Sequence, residues 1–423
     1  MMYAVREDWP TGRLLCECPS CGTLQMVAAL PACASARCIR CNQLLRRTRY
    51  EPLVRPLAAA LAGLALYGVV LFLPFMQIEL WSRDHTATML EFPAELQTNG
   101  FWELAAAFLL FVLVLPPLRL ALLAWVLIGL RLRRPPRGLR ALFRWHERSG
   151  PWAMTEVFLV GVFVAYSRLA DLAQIDIGPA AWALGGLMLA SVCAEIALDP
   201  AAVWEAIDSR TPRTALAGAK DEGNPVGCPC CALLCHPRPD RLSRCLRCGA
   251  LLWPRKPASL ARTWALLIAA VICVVFAYAE PVMTVSNFGE GETSTIFGGM
   301  IELAELGWWP IAVIVFLASI TIPMFKLVAL AVMLLSVHLR SATGLRARTR
   351  IYRFVEVIGR WSMIDVFMVS ILTVLVQLGF IATVQPEVGV VAFGAVVILT
   401  MLAAYSFDPR LMWDAAGRGR GAE

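Results

Sequence analysis

Charge is what this sequence has least of. Only 16% of its 423 residues are charged, where an ordinary soluble domain carries about a quarter. That deficit excludes a soluble globular chain of this length. Histidine is scarce too, with four residues at positions 85, 146, 236 and 338. None shares a site with a nucleophile, so no catalytic constellation emerges and no enzyme is expected. No P-loop, G-x-x-x-x-G-K-[ST], occurs anywhere, and nucleotide hydrolysis is therefore not expected. The N-terminal stretch MMYAVREDWPTGRLLCECPSC lacks the apolar core that a cleavable signal needs, so none is expected. Basic residues nearly vanish from segments 77–100 and 284–306, where Arg83 stands alone.

What fills the chain instead is hydrocarbon: 59% of residues are hydrophobic and the mean hydropathy is +0.66. The apolar residues fall in blocks that reach the roughly 20 residues a bilayer-crossing helix requires. Eight spans are expected, at 56–76, 102–130, 152–172, 180–199, 261–283, 308–338, 361–383 and 387–407. The class is a mostly α-helical, polytopic membrane protein. Arginines crowd RLRRPPRGLRALFRWHERSG (131–150) and HLRSATGLRARTRIYRFVEVIGR (338–360). By the positive-inside rule these loops, both termini and the central segment 205–259 are expected on the cytoplasmic face. Eight spans return both ends to one side, so charge and topology agree. Orientation accounts for the net charge of +7, and no nucleic-acid partner is expected.

The chain is written twice. CIRCNQLL (38–45) returns as CLRCGALL (245–252), LPFMQI (73–78) as EPVMTV (280–285), and LPPLRLALL (115–123) as IPMFKLVAL (322–330). Further along, GPWAMTEVF (150–158) returns as GRWSMIDVF (359–367) and LDPAAVWE (198–205) as FDPRLMWD (407–414). The offset is 207 residues for the first three pairs and 209 for the last two. Each unit is a cysteine-rich module followed by four spans, and because four is even the two units run parallel. The expected divisions are a ribbon at 1–50, a membrane unit at 51–205, a linker at 206–226, a second ribbon at 227–257, a second membrane unit at 258–414 and a tail at 415–423. Between the first two spans of each unit, MQIELWSRDHTATML and MTVSNFGEGETSTIF alternate like β-hairpins on the outer, periplasmic face, the second around Gly289-Glu290-Gly291.

Twelve of the fourteen cysteines cluster in the two modules. The pairs Cys18/Cys21 and Cys38/Cys41 are sixteen residues apart, and Cys228/Cys231 and Cys245/Cys248 thirteen. CxxC twice at this separation is zinc-ribbon spacing, with four thiolates around one tetrahedral ion, so two zinc ions are expected. Four cluster cysteines, Cys16, Cys33, Cys230 and Cys235, are read as non-ligands; Cys230 aligns with Ser20 and Cys235 with Gln25. Cys193 and Cys273 are read as packing residues within spans. The ribbons are expected to brace the membrane domain or dock a partner.

Charges inside the spans are the second signal. Lys326 in IPMFKLVAL and Arg119 in LPPLRLALL each stand three residues after a proline, Pro323 and Pro116. Glu156 and Asp365 open the matched third spans. A charge near mid-membrane costs about 2.5–3.5 kcal/mol on insertion scales, so these four should pair or face a wet interior. Helical spacing puts Glu156, Ser167 and Asp171 on one face, and Ser362, Asp365 and Thr373 on another. Ser319 and Thr321 lie a turn above Lys326. The expected polar relay is Lys326, Asp365, Ser319, Thr321, Ser362 and Thr373, with Arg119 and Glu156 as its weaker counterpart or a structural ion pair. The Asp199-Pro200 and Asp408-Pro409 pairs, followed by Trp204 and Trp413, read as interfacial anchors.

Two CxxC…CxxC ribbons, each heading four spans, with GRWSMIDVF and IPMFKL in the second unit, resemble the paraquat-inducible protein A family, which includes the LetA proteins. The resemblance covers nearly the whole chain. Arg119 and Glu156 stand where the family more usually has lysine and aspartate, and Gln377 where a lysine is common. The resemblance implies a bacterial inner-membrane protein working with a periplasmic MCE-domain partner, whose hollow tube conducts lipid, a phospholipid above all, between the inner and outer membranes. The buried ionisable pair adds a proton-coupled step as an expectation. Two other readings compete: an anchor or scaffold for the partner that moves no lipid, and a redox or stress sensor built on the ribbons.

Overall fold

The computed structural model describes residues 13–80, 83–169, 174–210, 225–236, 243–287, 290–305, 307–375 and 382–417. Asp171, Gly289, Gln377, the linker residues 211–224 and the tail residues 418–423 lie outside the described residues. The first half begins with four short strands, β1 (Arg13–Glu17), β2 (Leu24–Ala28), β3 (Ser35–Arg37) and β4 (Leu44–Arg47). Then come α1 (Arg55–Phe72), β5 (Met76–Leu80), β6 (Arg83–Ala87), α2 (Glu91–Thr98), α3 (Trp102–Phe108), α4 (Leu115–Gly129), α5 (Leu139–Ser149), α6 (Thr155–Leu169), β7 (Gln174–Ile177), α7 (Pro179–Ala197) and α8 (Pro200–Arg210).

The second half repeats that order element for element. It runs β8 (Val226–Gly227), β9 (Leu234–Cys235), β10 (Ser243–Arg244), β11 (Leu251–Leu252), α9 (Ser259–Ala279), β12 (Met283–Asn287), β13 (Glu290–Ser294), α10 (Ile296–Glu305), α11 (Trp309–Phe316), α12 (Ile322–His338), α13 (Leu345–Ile358), α14 (Ile364–Leu375), β14 (Ala382–Pro386), α15 (Val388–Ser406) and α16 (Arg410–Ala415).

Among the described residues, eight helical stretches are long and apolar enough to cross a membrane, and each overlaps one of the hydropathy blocks. The third and seventh start earlier than expected, at Leu139 and Leu345. The arginine-rich segments read as loops are the amphipathic helices α5 and α13. Leu139, Phe143 and His146 in α5, and Leu345, Thr349, Tyr352 and Val355 in α13, form buried stripes at three- and four-residue spacing. Both helices run into the spans behind them through short 3-10 turns, Gly150–Trp152 and Gly359–Met363.

Prolines shape the second and sixth spans. Six-residue and five-residue π-helical turns, Leu109–Val114 and Leu317–Thr321, directly precede α4 and α12, whose first turns carry Pro116 and Pro323. A proline has no N–H to give and clashes with the carbonyl a turn below, and widening that turn relieves the crowding. Each π turn is met by a tyrosine from the first helix of its half: Tyr67 donates to the Leu113 carbonyl, and Tyr278 to the Ser319 carbonyl at 2.8 Å. Backbone groups inside an apolar span need such partners.

Both expected hairpins are present, and each gains a third strand that the sequence did not announce. The sheets run β6-β5-β7 and β13-β12-β14, all antiparallel. The third strand comes from the connection before the fourth span; QIDI and ATVQP do alternate, but runs of four and five residues are too short to stand out beside the spans. In the bundle, α1 packs along α7 and α9 along α15, while the two halves meet along α6 and α14. Phe158 and Phe367 stack edge-on across that seam, with ring centroids 5.8 Å apart, and a Cβ at Gly161 would meet the Phe367 Cβ at 3.3 Å. Every residue of α14 is buried, the polar Asp365, Ser370 and Thr373 included.

The ribbons dock crosswise. Cys18, Cys21, Cys38 and Cys41 share an apolar cluster with Tyr352, Val355 and Trp413 of the second half, whereas Cys228, Cys231, Cys245 and Cys248 join Phe143 and Trp204 of the first. This corrects the reading of the two tryptophans as interfacial anchors. Trp204 and Trp413 are 1% and 2% exposed, roofed by the opposite ribbon. The Arg40 guanidinium lies over the Trp413 ring at 4.7 Å, and the Trp413 indole N–H donates to Thr349 Oγ1 at 3.1 Å. The preceding aspartates begin helices: Asp199 Oδ1 accepts from the amides of Ala201 and Ala202 at the start of α8.

Candidate functional site

Each CxxC forms a tight knuckle. The amides of Gly22, Asn42, Ala232 and Gly249 donate back to the carbonyls of Cys18, Cys38, Cys228 and Cys245 at 2.8–3.1 Å. All four donors sit in the left-handed region, φ +55° to +73°, which glycine and asparagine adopt most easily. The knuckles bring Cys18 and Cys41 sulfurs to 3.5 Å, Cys21 and Cys38 to 3.6 Å, Cys228 and Cys248 to 3.4 Å, and Cys231 and Cys245 to 3.5 Å. Within each set the four sulfurs lie within 4.8 Å of one another, all buried. A tetrahedral thiolate site with metal–sulfur bonds of about 2.3 Å has sulfurs about 3.8 Å apart, so both sets fit one metal ion each. Cys21, Cys245 and Cys248 are held below the usual thiol range by neighbouring sulfurs, Cys18 for the first and Cys228 for the other two. The same contacts push Cys18 and Cys231 up, through Cys21 and Cys228, so protons are shared unevenly within each set. Outside these sets, Cys16 is half-buried in β1 and Cys33 exposed. Cys230 donates to Glu147 Oε2 at 3.3 Å, and Cys235 lies beside Cys245.

Lys326 is 1% exposed in the second turn of α12, with apolar residues on both sides of it in the sequence. Its ammonium donates to Thr400 Oγ1 of α15 at 2.8 Å and to the Gly359 carbonyl at 3.4 Å. Gly359 opens the 3-10 turn into α14, so the turn that starts the central helix presents a carbonyl to the buried cation. Asp365 stands on the first turn of α14 and is 5% exposed. Both charges therefore turn inward, away from the lipid-facing surface. Ser319 and Ser362 are buried with them, at 0% and 1% exposed. The Ser319 hydroxyl donates to the Val315 carbonyl at 2.7 Å, and Ser362 Oγ has no hydrogen-bond partner among the described residues. Thr373 is buried but spends its hydroxyl on the Val369 carbonyl of its own helix. Thr321 is exposed; two residues past Ser319 on a wide turn, it points outward and takes no part in this cluster.

Thr400 and Tyr278 were missed. A lone threonine in VILTMLAAYS gives no periodic cue, and the only sequence signal was its place in an otherwise apolar eighth span.

The matched place in the first half is built differently. Arg119 pairs with Glu195 of α7, and its backbone carbonyl lies 3.0 Å from His146 Nδ1. Glu156 reaches across the seam to Arg360 of the second half, 2.8 Å away. Arg119 and Glu156 thus each have another partner, in place of the symmetric pair expected, and they line one small cavity of about 30 Å³ together with Thr155, Ser191 and Glu195. The counterpart of Arg360 is Pro151, so the cross-seam arginine occurs on one side only.

A polytopic helical membrane protein, built as two repeats that each join a four-cysteine ribbon to four spans and carry one deeply buried lysine, is the class these features define. The family model described as Paraquat-inducible protein A matches twice, over residues 53–208 and 260–417, in register with the internal repeat. The chain belongs to that family. It is 32% identical over 404 residues to the Intermembrane transport protein PqiA of Escherichia coli (strain K12), covering 93% of this chain and 95% of that protein. It is 30% identical over 418 residues to the Lipophilic envelope-spanning tunnel protein A of the same strain, with 98% and 95% covered. A Probable intermembrane transport protein of Haemophilus influenzae is 27% identical over 415 residues. No solved structure matches the chain. The relatives carry transport names, which fits a protein that is not an enzyme.

Proposed function

We propose that this protein is the inner-membrane subunit of a system that moves phospholipid between the inner and outer membranes, exchanging lipid with a periplasmic MCE-domain tube. The single observation that carries the reading is Lys326. A cation costing about 2.5–3.5 kcal/mol at mid-membrane is held by one hydroxyl and one carbonyl, in a chain two of whose relatives are named for intermembrane transport. Ser319, Ser362, Asp365 and Thr373 are the further members of the proposed relay, Thr400 joins it through its bond to Lys326, and Arg119 and Glu156 serve as structural ion-pair members. An amine so placed can take up or release a proton as its surroundings rewet, which couples lipid movement to the proton gradient without nucleotide.

Both termini and the ribbons lie on the cytoplasmic side, and the three-stranded sheets face the periplasmic partner. Each ribbon holds one zinc ion through Cys18, Cys21, Cys38 and Cys41 or through Cys228, Cys231, Cys245 and Cys248. The units divide at 1–50, 51–205, 206–226, 227–257, 258–414 and 415–423.

The test is lipid transfer by the purified chain with its partner in vesicles, with and without a proton gradient. Lys326→Ala and Asp365→Asn should each lower gradient-dependent transfer at least tenfold while the zinc content of the protein stays unchanged. Undiminished transfer by both variants overturns the relay. A photo-crosslinking phospholipid separates transport from anchoring: a scaffold is labelled only at its surface, a transporter beside Lys326.

A further inference from the structure

The two ribbons are not chemically alike. At the second, two further sulfurs stand against the four: Cys230, beside Cys248 and bonded to Glu147, and Cys235 on β9, which is 8% exposed and whose thiol donates to Cys245 Sγ at 3.9 Å. In the first ribbon the aligned position is Gln25, whose Oε1 accepts the amide of Ile39, just past Cys38, at 3.2 Å. The repeat therefore replaces an inert amide by a thiol at the same place in the knuckle, next to the same ligand position, since Cys38 and Cys245 are matched. Nothing in the transport reading uses this sulfur, and the geometry of a Cys₄ ribbon does not need it.

We propose that Cys235 and Cys245 form a peroxide-oxidisable modification site that opens the second metal centre and leaves the first intact. The oxidant is hydrogen peroxide. The Cys245 thiolate attacks one peroxide oxygen and, with a proton, gives sulfenic acid and water as the O–O bond breaks. The Cys235 thiol then attacks the sulfenic sulfur, the S–O bond breaks, and a disulfide and a second water form. Two electrons pass from the two sulfurs to one peroxide. The sulfurs close from 3.9 Å to the roughly 2.05 Å of a disulfide, and Cys245 is lost as a ligand. Ribbon two then keeps three thiolates, and its zinc is released. Excess small thiol reverses the exchange. Because this ribbon covers Trp204 and Phe143 of the first half, its opening uncovers that end of the bundle.

The proposal rests on the zinc reading of the ribbons only for its second readout. The experiment treats the full-length protein in detergent with graded hydrogen peroxide, follows zinc release with a colorimetric chelator and maps disulfides by mass spectrometry. Zinc before treatment, two per chain, reports on the metal reading. The disulfide map reports on this one. The expected result is a Cys235–Cys245 disulfide and loss of one zinc per chain at a dose that spares the other, both restored by dithiothreitol and zinc. Cys235→Ser should keep both ions at that dose. Gln25→Cys should confer the same sensitivity on Cys38 of the first ribbon. Equal loss from both ribbons in the parent, unchanged release from Cys235→Ser, or a disulfide that maps to Cys230 overturns the proposal.

Discussion

Arg353 donates from Nη2 to the carbonyl oxygen of Cys41 at 2.6 Å, so a side chain on α13 of the second half closes the knuckle of the first ribbon. The twofold repeat returns the contact: Arg144 on α5 donates to the Cys248 carbonyl at 2.9 Å. Each arginine leaves from the helix that leads into a central span, and α13 ends at Gly359, whose carbonyl holds Lys326. Ribbon and buried lysine are thus joined through one helix.

That reciprocity predicts a selective effect. Each bond is charge-assisted, and losing one should cost about 1.5–3 kcal/mol of docking. Arg353→Ala should speed chelator removal of metal from the first ribbon by tenfold or more and leave the second near its parent rate; Arg144→Ala should do the reverse. Isotope-labelled metal exchange, with mass spectrometry of the ribbon peptides, assigns each rate. Equal acceleration at both ribbons in either variant would show that the docking is not carried by these bonds.

A second prediction concerns the seam. Glu156 and Arg360 join the halves at 2.8 Å, each side chain under a third exposed. Their coupling should be about 1 kcal/mol in a double-mutant cycle. Glu156→Arg or Arg360→Glu alone places like charges together and should lower the unfolding midpoint. The double swap should recover most of the loss, because the ion pair is rebuilt in reverse. A swap no better than its worse parent would mean that the seam depends on packing at Phe158 and Phe367 and not on this pair.

Much of this fold was legible before any coordinates. Long apolar blocks can be satisfied only by spanning helices, so six of the eight spans appeared within about four residues of their ends, the third and seventh being extended at their starts by α5 and α13. CxxC spacing fixes a knuckle locally, and both sulfur sets assembled from the residues named. What stayed hidden depends on tertiary proximity. Nothing in the sequence tells which half a ribbon will cover, so Trp204 and Trp413 read as membrane anchors. Glu156 and Arg360 are 204 residues apart, and each looked as if it belonged to its own repeat. The arginines of α5 and α13 masked a stripe of buried apolar residues, because charge count and periodicity point to different conclusions there. Thr321 failed for a local reason: two residues past Ser319, it stands on the opposite side of the helix, since only residues three or four apart share a face.

The last prediction compares two aspartates that the repeat makes equivalent. Asp408 accepts from both Arg410 nitrogens, at 2.9 and 3.0 Å, and from the amide of Lys256 at 3.1 Å, with its side chain 1% exposed. Burial pushes its carboxyl up, but Arg410 outweighs that and holds it below the ordinary carboxylate range. At Asp199 the matched position is Ala201, and burial wins: the carboxyl is raised. A depressed pKa contributes stability that is present above the unfolded value of about 3.9 and lost only as pH falls through the folded one. A raised pKa works the other way, adding stability at low pH that disappears as pH rises through the folded value. Asparagine keeps the helix cap in both places, so the substitutions isolate charge. Asp408→Asn should therefore cost about 1.5–3 kcal/mol, equally at pH 7 and pH 5. Asp199→Asn should be neutral or stabilising at pH 7, with any gain shrinking toward pH 5. Denaturant unfolding of the detergent-solubilised protein at the two pH values measures both, and an Asp199→Asn loss as large as that of Asp408→Asn would show that Arg410 does not make the difference.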